Sequence, residues 1–227
     1  MTLFRSLKST YKFKSTPWKH NKVLSRPLLK TELINKVQDY WHSVEHHAWP
    51  DAPYYTGTGL HYNKRCELKP VTKQLCGNHG NRLDYQDTLS YDQLIPQDLL
   101  GDLGDFPLVR CKIGCLDGRE LTNHNVNSWH RDETPFEVLR VIVPITSSES
   151  YRFQMENQPD ICLEPGNIYA FDQSTYHRVF TTVSSPTPRI HLILSFVTWF
   201  DTADGIWIPN DHCGRRHPLA LFDAVNL

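Results

Sequence analysis

No run of apolar residues in this chain approaches the roughly 20 needed to cross a bilayer as a helix, so no helical membrane span is expected. Neither sign of charge dominates. The 24 Lys and Arg against 25 Asp and Glu leave a formal net charge of −1, so no global basic field points to nucleic acid. The six cysteines (Cys66, Cys76, Cys111, Cys115, Cys162, Cys213) lack tight paired spacing. Cys111 and Cys115 have no second pair or histidine at zinc-finger distance, which argues against a structural zinc site. They are expected as reduced thiols in a cytoplasmic compartment. Internal repeats and linker-like stretches are missing too, so a single domain over 1–227 is expected, a length sufficient for a full core. It divides into helical and loop support over 1–105, a β core over 106–200 and a tail over 201–227. The segment Met1 to Lys22 is basic and has no apolar core of the signal-peptide kind, so a solvated arm or edge strand is expected there.

What is present is concentrated in the second half. Phe136 to Ile145 reads F-E-V-L-R-V-I-V-P-I, and Ile190 to Trp199 reads I-H-L-I-L-S-F-V-T-W. Both are β-branched and aromatic runs of strand length. Shorter runs lie between them, at Tyr151 to Met155, Ile161 to Leu163, Asn167 to Phe171 and His177 to Phe180. Turn residues separate them, including Pro159-Asp160, Pro165-Gly166 and Ser184-Ser185-Pro186. Short strands without intervening helices predict an antiparallel sandwich or barrel. Pro107 to Ile113 is expected as its first core strand.

Within this pattern lies a split set of metal-ligating side chains: His130-Arg131-Asp132, then His177, then Arg189 twelve residues further on. Two imidazoles and one carboxylate are the donor set that holds non-haem Fe(II) on one face and leaves positions open for oxygen chemistry. The downstream arginine suits an anionic co-substrate held by a bidentate pair. An H-x-D alone is common by chance and equally describes a surface histidine beside a turn aspartate. Hairpin geometry would bring the set together. A turn centred near Val183 would set His177 opposite Arg189, and one near Pro135 would set His130 opposite Arg140. Asp132 shares a face with His130 because alternate strand residues do. Arg140 sits mid-strand among apolar residues, where an unpaired guanidinium is costly to bury, so it is expected in a pocket. His124 and His191 are expected in supporting roles, Trp129 in core packing, and Ser174, Thr175 or Tyr169 as further donors to a carboxylate.

The run from Trp129 to Val197, about seventy residues, resembles the catalytic core of Fe(II)/2-oxoglutarate-dependent dioxygenases. Within them it is most similar to the aspartyl/asparaginyl β-hydroxylase-like group. The matching text is W-H-R-D-E (129–133), E-V-L-R-V-I-V-P-I (137–145), L-E-P-G-N-I-Y-A-F-D (163–172), Y-H-R-V (176–179) and P-R-I-H-L-I-L-S-F (188–196). The resemblance implies a double-stranded β-helix, a jelly-roll or cupin-like barrel with helix packed outside. It implies His130, Asp132 and His177 as iron ligands, Arg189 as partner of the distal carboxylate of 2-oxoglutarate, and Arg140 as a pocket residue holding substrate or co-substrate. The chain departs from the membrane-anchored members, which lack the middle carboxylate that Asp132 supplies here. Fe(II), 2-oxoglutarate and O2 are thus the expected cofactors and co-substrates. The expected activity is hydroxylation of a small polar substrate, a free amino acid or an amino-acid residue in a peptide or protein, with no nucleic-acid or membrane partner. Two other readings stand beside it: a metal-dependent jelly-roll isomerase or hydrolase that does not use 2-oxoglutarate, and a non-catalytic ligand-binding sandwich.

The first half carries fewer signals. Apolar residues at Leu29, Leu33, Ile34, Val37, Tyr40, Trp41 and Val44 predict an amphipathic helix within Leu28 to Trp49, entered near Pro27. Tyr54 to Leu60 is aromatic and glycine-rich, an exposed turn or edge strand that would otherwise line a substrate mouth. Asp211 to His217 superficially resembles a metal tract, with a basic loop as the plainer expectation.

Overall fold

Between residues 108 and 196 the chain winds back and forth between two antiparallel sheets. In the computed structural model, which describes residues 22–27, 32–49, 52–63, 85–87, 103–118, 127–185, 187–203 and 206–223, seven consecutive strands alternate between them. These are β6 (Leu108–Leu116), β7 (Asn127–His130), β8 (Leu139–Pro144), β9 (Tyr151–Met155), β10 (Asn167–Ala170), β11 (His177–Thr181) and β12 (Arg189–Phe196). Strands β6, β8, β10 and β12 join the large sheet, and β7, β9 and β11 form the small one in the order β7-β11-β9. A bridge from Phe153 to Ile161 extends the small sheet. This alternation is the winding of a double-stranded β-helix, and the chain is mainly β as its strand pattern predicts.

Earlier segments widen the large sheet. Strand β1 (Leu24–Pro27) pairs with β10, β3 (Ala52–Gly59) pairs with β6, and β2 (His47–Trp49) pairs with β3, giving the order β1-β10-β8-β12-β6-β3-β2. Two further antiparallel pairs form small sheets of their own: β4 (His61–Asn63) with β5 (Tyr85–Asp87), and β13 (Phe200–Ala203) with β14 (Ile206–Pro209).

Helix α1 (Glu32–Ser43) forms where the periodicity predicted it, though it is shorter. Its buried residues Leu33, Val37 and Trp41 recur every four positions and make one apolar stripe. Beyond Ser43 the chain leaves the helix for β2, and His46 stacks on the Trp41 ring with centroids 3.5 Å apart. The stripe packs with Val141, Val143, Leu192, Leu194 and Phe196 of the large sheet. Helix α2 (Pro218–Asp223) adds Leu219 and Phe222 to the same core. The opposite face of the large sheet looks into the barrel, where Leu116, Ile142, Tyr151, Phe153, Met155, Tyr169, Phe171 and Val179 pack together.

Three expectations are corrected here. His177 does not pair with Arg189, nor His130 with Arg140. His177 is the partner of His130 and Met155, Arg189 of Leu116, and Arg140 of Ser195. The assumed hairpins fail because strands consecutive in this winding belong to different sheets. Tyr54 to Gly59 is no exposed turn but part of β3, with Thr58 buried. Trp129 is 39% exposed rather than in the core. Alternation decides this: if His130 turns inward, its neighbour turns out, and the Arg178 guanidinium lies 4.6 Å above the Trp129 ring.

Of the described cysteines, Cys111, Cys162 and Cys213 carry free thiols. Cys66, Cys76, His124 and the arm preceding Lys22 lie outside the described residues. Among the described residues, no helix is long and apolar enough to cross a membrane.

Candidate metal and co-substrate site

His130 ends β7 and His177 begins β11, and their pairing brings the two rings to a centroid separation of 4.3 Å. Each ring is oriented by a backbone carbonyl two residues upstream. His130 Nδ1 donates to Ser128 O at 2.8 Å and His177 Nδ1 to Thr175 O at 3.0 Å. A carbonyl only accepts, so the proton sits on Nδ1 and each Nε2 presents a lone pair. Both point at one atom: Asp132 Oδ2 lies 3.9 Å from His130 Nε2 and 3.5 Å from His177 Nε2. The Asp132 N–H donates to Gln173 O at 2.9 Å, which ties the loop after β7 to the loop before β11. The three potential ligand atoms lie within 4.8 Å of one another. Two imidazole nitrogens and a carboxylate oxygen converging in this way fit a ferrous ion with open positions. Phe171 and Phe153 flank His177, with centroids 5.0 and 5.9 Å away, and make the inner wall apolar.

The protonation states suit ligation. Burial, above all, keeps His130 below its ordinary value, hence neutral. Burial opposes ionisation of Asp132, but the charge of the Arg140 guanidinium that donates to it outweighs this and holds the carboxyl far below the usual range. His130 and Asp132 would therefore meet a metal already deprotonated.

Arg140 faces the site, as expected, from β8. Its Nη1 donates to Asp132 Oδ2 and its Nη2 to Glu133 Oε2 at 2.8 Å. Glu133 Oε1 lies 3.5 Å from Nη2 of Arg110, a buried residue of β6.

Arg189 enters from the other end of β12. Along that strand it is six residues from Ser195, the ladder partner of Arg140, or about 20 Å at the usual rise. It is 3% exposed and, among the described residues, has no acidic partner. Burial pushes it down to about 10, so it stays charged at neutral pH. Its Nη1 lies 3.4 Å from His191 Nδ1, and His191 Nε2 lies 3.4 Å from the Tyr55 hydroxyl. Burial and the Arg189 charge hold His191 well below its ordinary value, so it is neutral. Burial raises Tyr55 to about 12 against the opposing charges of Arg189 and Arg140. Gly114 makes this arrangement possible, since a Cβ there would overlap the Tyr55 hydroxyl and lie 2.9 Å from His191 Nε2.

Sequence reasoning named His130, Asp132, His177, Arg140 and Arg189, and all five face the interior of one barrel. It reached Tyr55 only as part of a segment that would otherwise line a substrate mouth, and it missed Glu133, Arg110 and Lys112. The last two were legible in principle: charged residues at alternate positions of an otherwise apolar strand mark a polar inner face. Of the suggested extra donors, Ser174 Oγ donates to Asp172 Oδ1 at 2.6 Å, and the Tyr169 hydroxyl accepts the Glu164 N–H at 2.9 Å. Thr175 contributes its carbonyl to His177. The 211–217 tract holds no metal-ligand cluster among the described residues. His217 Nδ1 instead accepts the Leu219 N–H at the start of α2, 3.2 Å away.

No family model matches the chain, and no curated protein does. Solved structures do. The chain is similar to an oxidoreductase of the 2OG-Fe(II) oxygenase family from Burkholderia pseudomallei, at 13% identity over 77% of this chain and 83% of that one, with a TM-score of 0.47. It is similar to HygX from Streptomyces hygroscopicus, crystallised with nickel and 2-oxoglutarate, at 11% identity over 85% and 94% of the two chains and a TM-score of 0.48. A Pseudomonas putida prolyl-4-hydroxylase matches at 13% identity over 78% and 93%, with a TM-score of 0.40.

Proposed function

We propose that this chain is an Fe(II)- and 2-oxoglutarate-dependent dioxygenase that hydroxylates a small polar substrate. A free amino acid or an amino-acid residue in a peptide or protein is the substrate class, by the resemblance to the aspartyl/asparaginyl β-hydroxylase-like group. The observation that carries the reading is the pairing of one donor set with one buried cation. His130, Asp132 and His177 converge with both Nε2 lone pairs turned to a carboxylate oxygen, and Arg189 waits deeper in the same barrel without an acidic partner among the described residues.

His130, Asp132 and His177 would hold Fe(II), and the bound iron with 2-oxoglutarate supplies the activation of O2 that delivers hydroxyl to a substrate carbon. The residues do the rest. The Ser128 and Thr175 carbonyls fix the tautomers. Arg189 presents a planar, permanently charged fork to the distal carboxylate, with His191 beside it and the Tyr55 hydroxyl beyond. Phe153 and Phe171 keep water from the inner wall. Arg140 borders the mouth, where substrate would approach.

An isomerase or hydrolase using the same ligands has no need of a carboxylate receptor at Arg189, which places that reading second. The test is titration of the anaerobic Fe(II) protein with 2-oxoglutarate, following the charge-transfer band of the chelate. A succinate-release screen over amino acids and short peptides then identifies the substrate. Iron binding without a chelate band would move the isomerase or hydrolase ahead, and no iron binding would leave a ligand-binding sandwich.

A further inference from the structure

We propose that Glu133 is a positioning residue for the metal site: it holds the Arg140 fork in place, and through it Asp132. The inference rests on the ligand assignment above and goes beyond it.

Asp132 and Glu133 are consecutive, yet both carboxylates reach the same guanidinium, Asp132 at Nη1 and Glu133 at Nη2. The fork is rigid and planar, so fixing one nitrogen fixes the other. Glu133 is itself anchored from a second strand. Arg110 on β6 and Arg140 on β8 are both ladder partners of Ser195 on β12, so they flank it at the same level of the sheet. Their backbones are two strand spacings apart, about 10 Å, and the Glu133 carboxylate spans that gap, with Oε1 toward Arg110 and Oε2 toward Arg140. The chain of contacts runs Arg110, Glu133, Arg140, Asp132, then the two imidazoles, and it is largely shielded from water: the side chains of Arg110, Glu133 and Arg140 are 4%, 11% and 11% exposed.

Removing the Glu133 charge leaves Asp132 as the carboxylate nearest the Arg140 fork. Nη1 already donates to Oδ2, the oxygen that faces the imidazoles; freed of Glu133, the fork turns to grip Asp132 through both nitrogens and competes more strongly with the metal for its oxygens. Partners that orient metal ligands in this way are commonly worth about 10–100-fold in metal affinity.

The experiment titrates the metal-free protein with Co(II), reading the visible d–d absorption, for wild type, Glu133→Gln, Arg140→Met and the double variant. Circular dichroism monitors the fold. Glu133→Gln is expected to bind Co(II) at least about tenfold more weakly, with an altered d–d spectrum. In the Arg140→Met background the same change should matter less than about twofold, because the coupling runs through the guanidinium. Wild-type affinity in folded Glu133→Gln, or an equal loss in both backgrounds, overturns the proposal. If Glu133→Gln does not fold, Glu133→Asp replaces it: this keeps the charge but is too short to span both arginines, and unchanged Co(II) affinity would again overturn the idea. If wild-type protein binds no Co(II), or His130→Ala binds it as well as wild type, the ligand assignment has failed instead.

Discussion

At the histidines the decisive feature is which nitrogen is left over. Because carbonyls occupy both Nδ1 positions, His130 and His177 offer Nε2 to the same point as Asp132 Oδ2. His130→Ala, Asp132→Ala and His177→Ala are each expected to abolish turnover while leaving the barrel folded, since each removes one of the three proposed protein ligands. Succinate release and circular dichroism check this, and full activity in any one removes that residue from the set. Arg189 makes a different kind of contribution. If it holds the distal carboxylate as proposed, its loss removes a charge-assisted pair at a buried position, where such bonds are worth about 1.5–3 kcal/mol each. Arg189→Ala should therefore weaken 2-oxoglutarate by about tenfold to a few hundredfold and leave iron binding nearly unchanged. Pyruvate has no distal carboxylate, so the preference for 2-oxoglutarate over pyruvate should narrow in the chelate titration. An equal loss for both acids would mean that Arg189 does not contact that carboxylate.

Among the elements, β6 carries two separable functions on its two faces. Cys111 and Ile113 face the core beneath α1, while Arg110, Lys112 and Gly114 alternate with them on the inner face. Gly114→Ala should displace Tyr55 and His191, because the added methyl takes the place of the hydroxyl. The expected result is weaker 2-oxoglutarate binding with Co(II) affinity kept, and unaltered chelate formation would show that Tyr55 and His191 lie outside the co-substrate path. Helix α1 acts only through the other face. Leu33→Ala should cost about 2–5 kcal/mol by leaving a cavity under the helix, measurable by denaturant unfolding, with Co(II) affinity unchanged. A shift in Co(II) affinity would show that α1 also shapes the site.

For the whole molecule, enclosing cations in the barrel couples stability to pH. Burial, then the charges of Arg140 and Arg110, push the Lys112 ammonium down to about 7 from an ordinary 10.5, although the residue is only partly shielded. Between those two values the unfolded chain holds a proton that the folded one has released, so stability rises as pH climbs from about 7 toward 10. Tyr55 acts in the opposite sense above 10, since the fold keeps its proton up to about 12. Lys112→Met should flatten the rise in Tm between pH 7 and 10 seen by calorimetry. A variant whose Tm still climbs in parallel with wild type would locate the dependence elsewhere.

Local pattern settled much of this molecule. Runs of β-branched and aromatic residues, turn residues and the apolar stripe of α1 follow from side-chain chemistry acting over a few residues, and they are visible at 139–144, 189–196 and 32–43. The donor set was legible for the same reason, because H-x-D, a later histidine and a later arginine are residue types that few other tasks bring together. Pairing was not legible. Whether β11 returns beside β12 or crosses to the other sheet depends on contacts between residues far apart in sequence, which no local pattern encodes. Tyr55 lies 134 residues before Arg189 in the chain and joins its surroundings only because β3 extends the large sheet beside β6. The sequence by itself determined which groups are available for chemistry and which segments are strands. Tertiary structure alone decided that Glu133 meets two arginines, that Trp129 faces outward and that Arg189 lies deep, because each depends on sheet order and register, which emerge only when both faces of the barrel close.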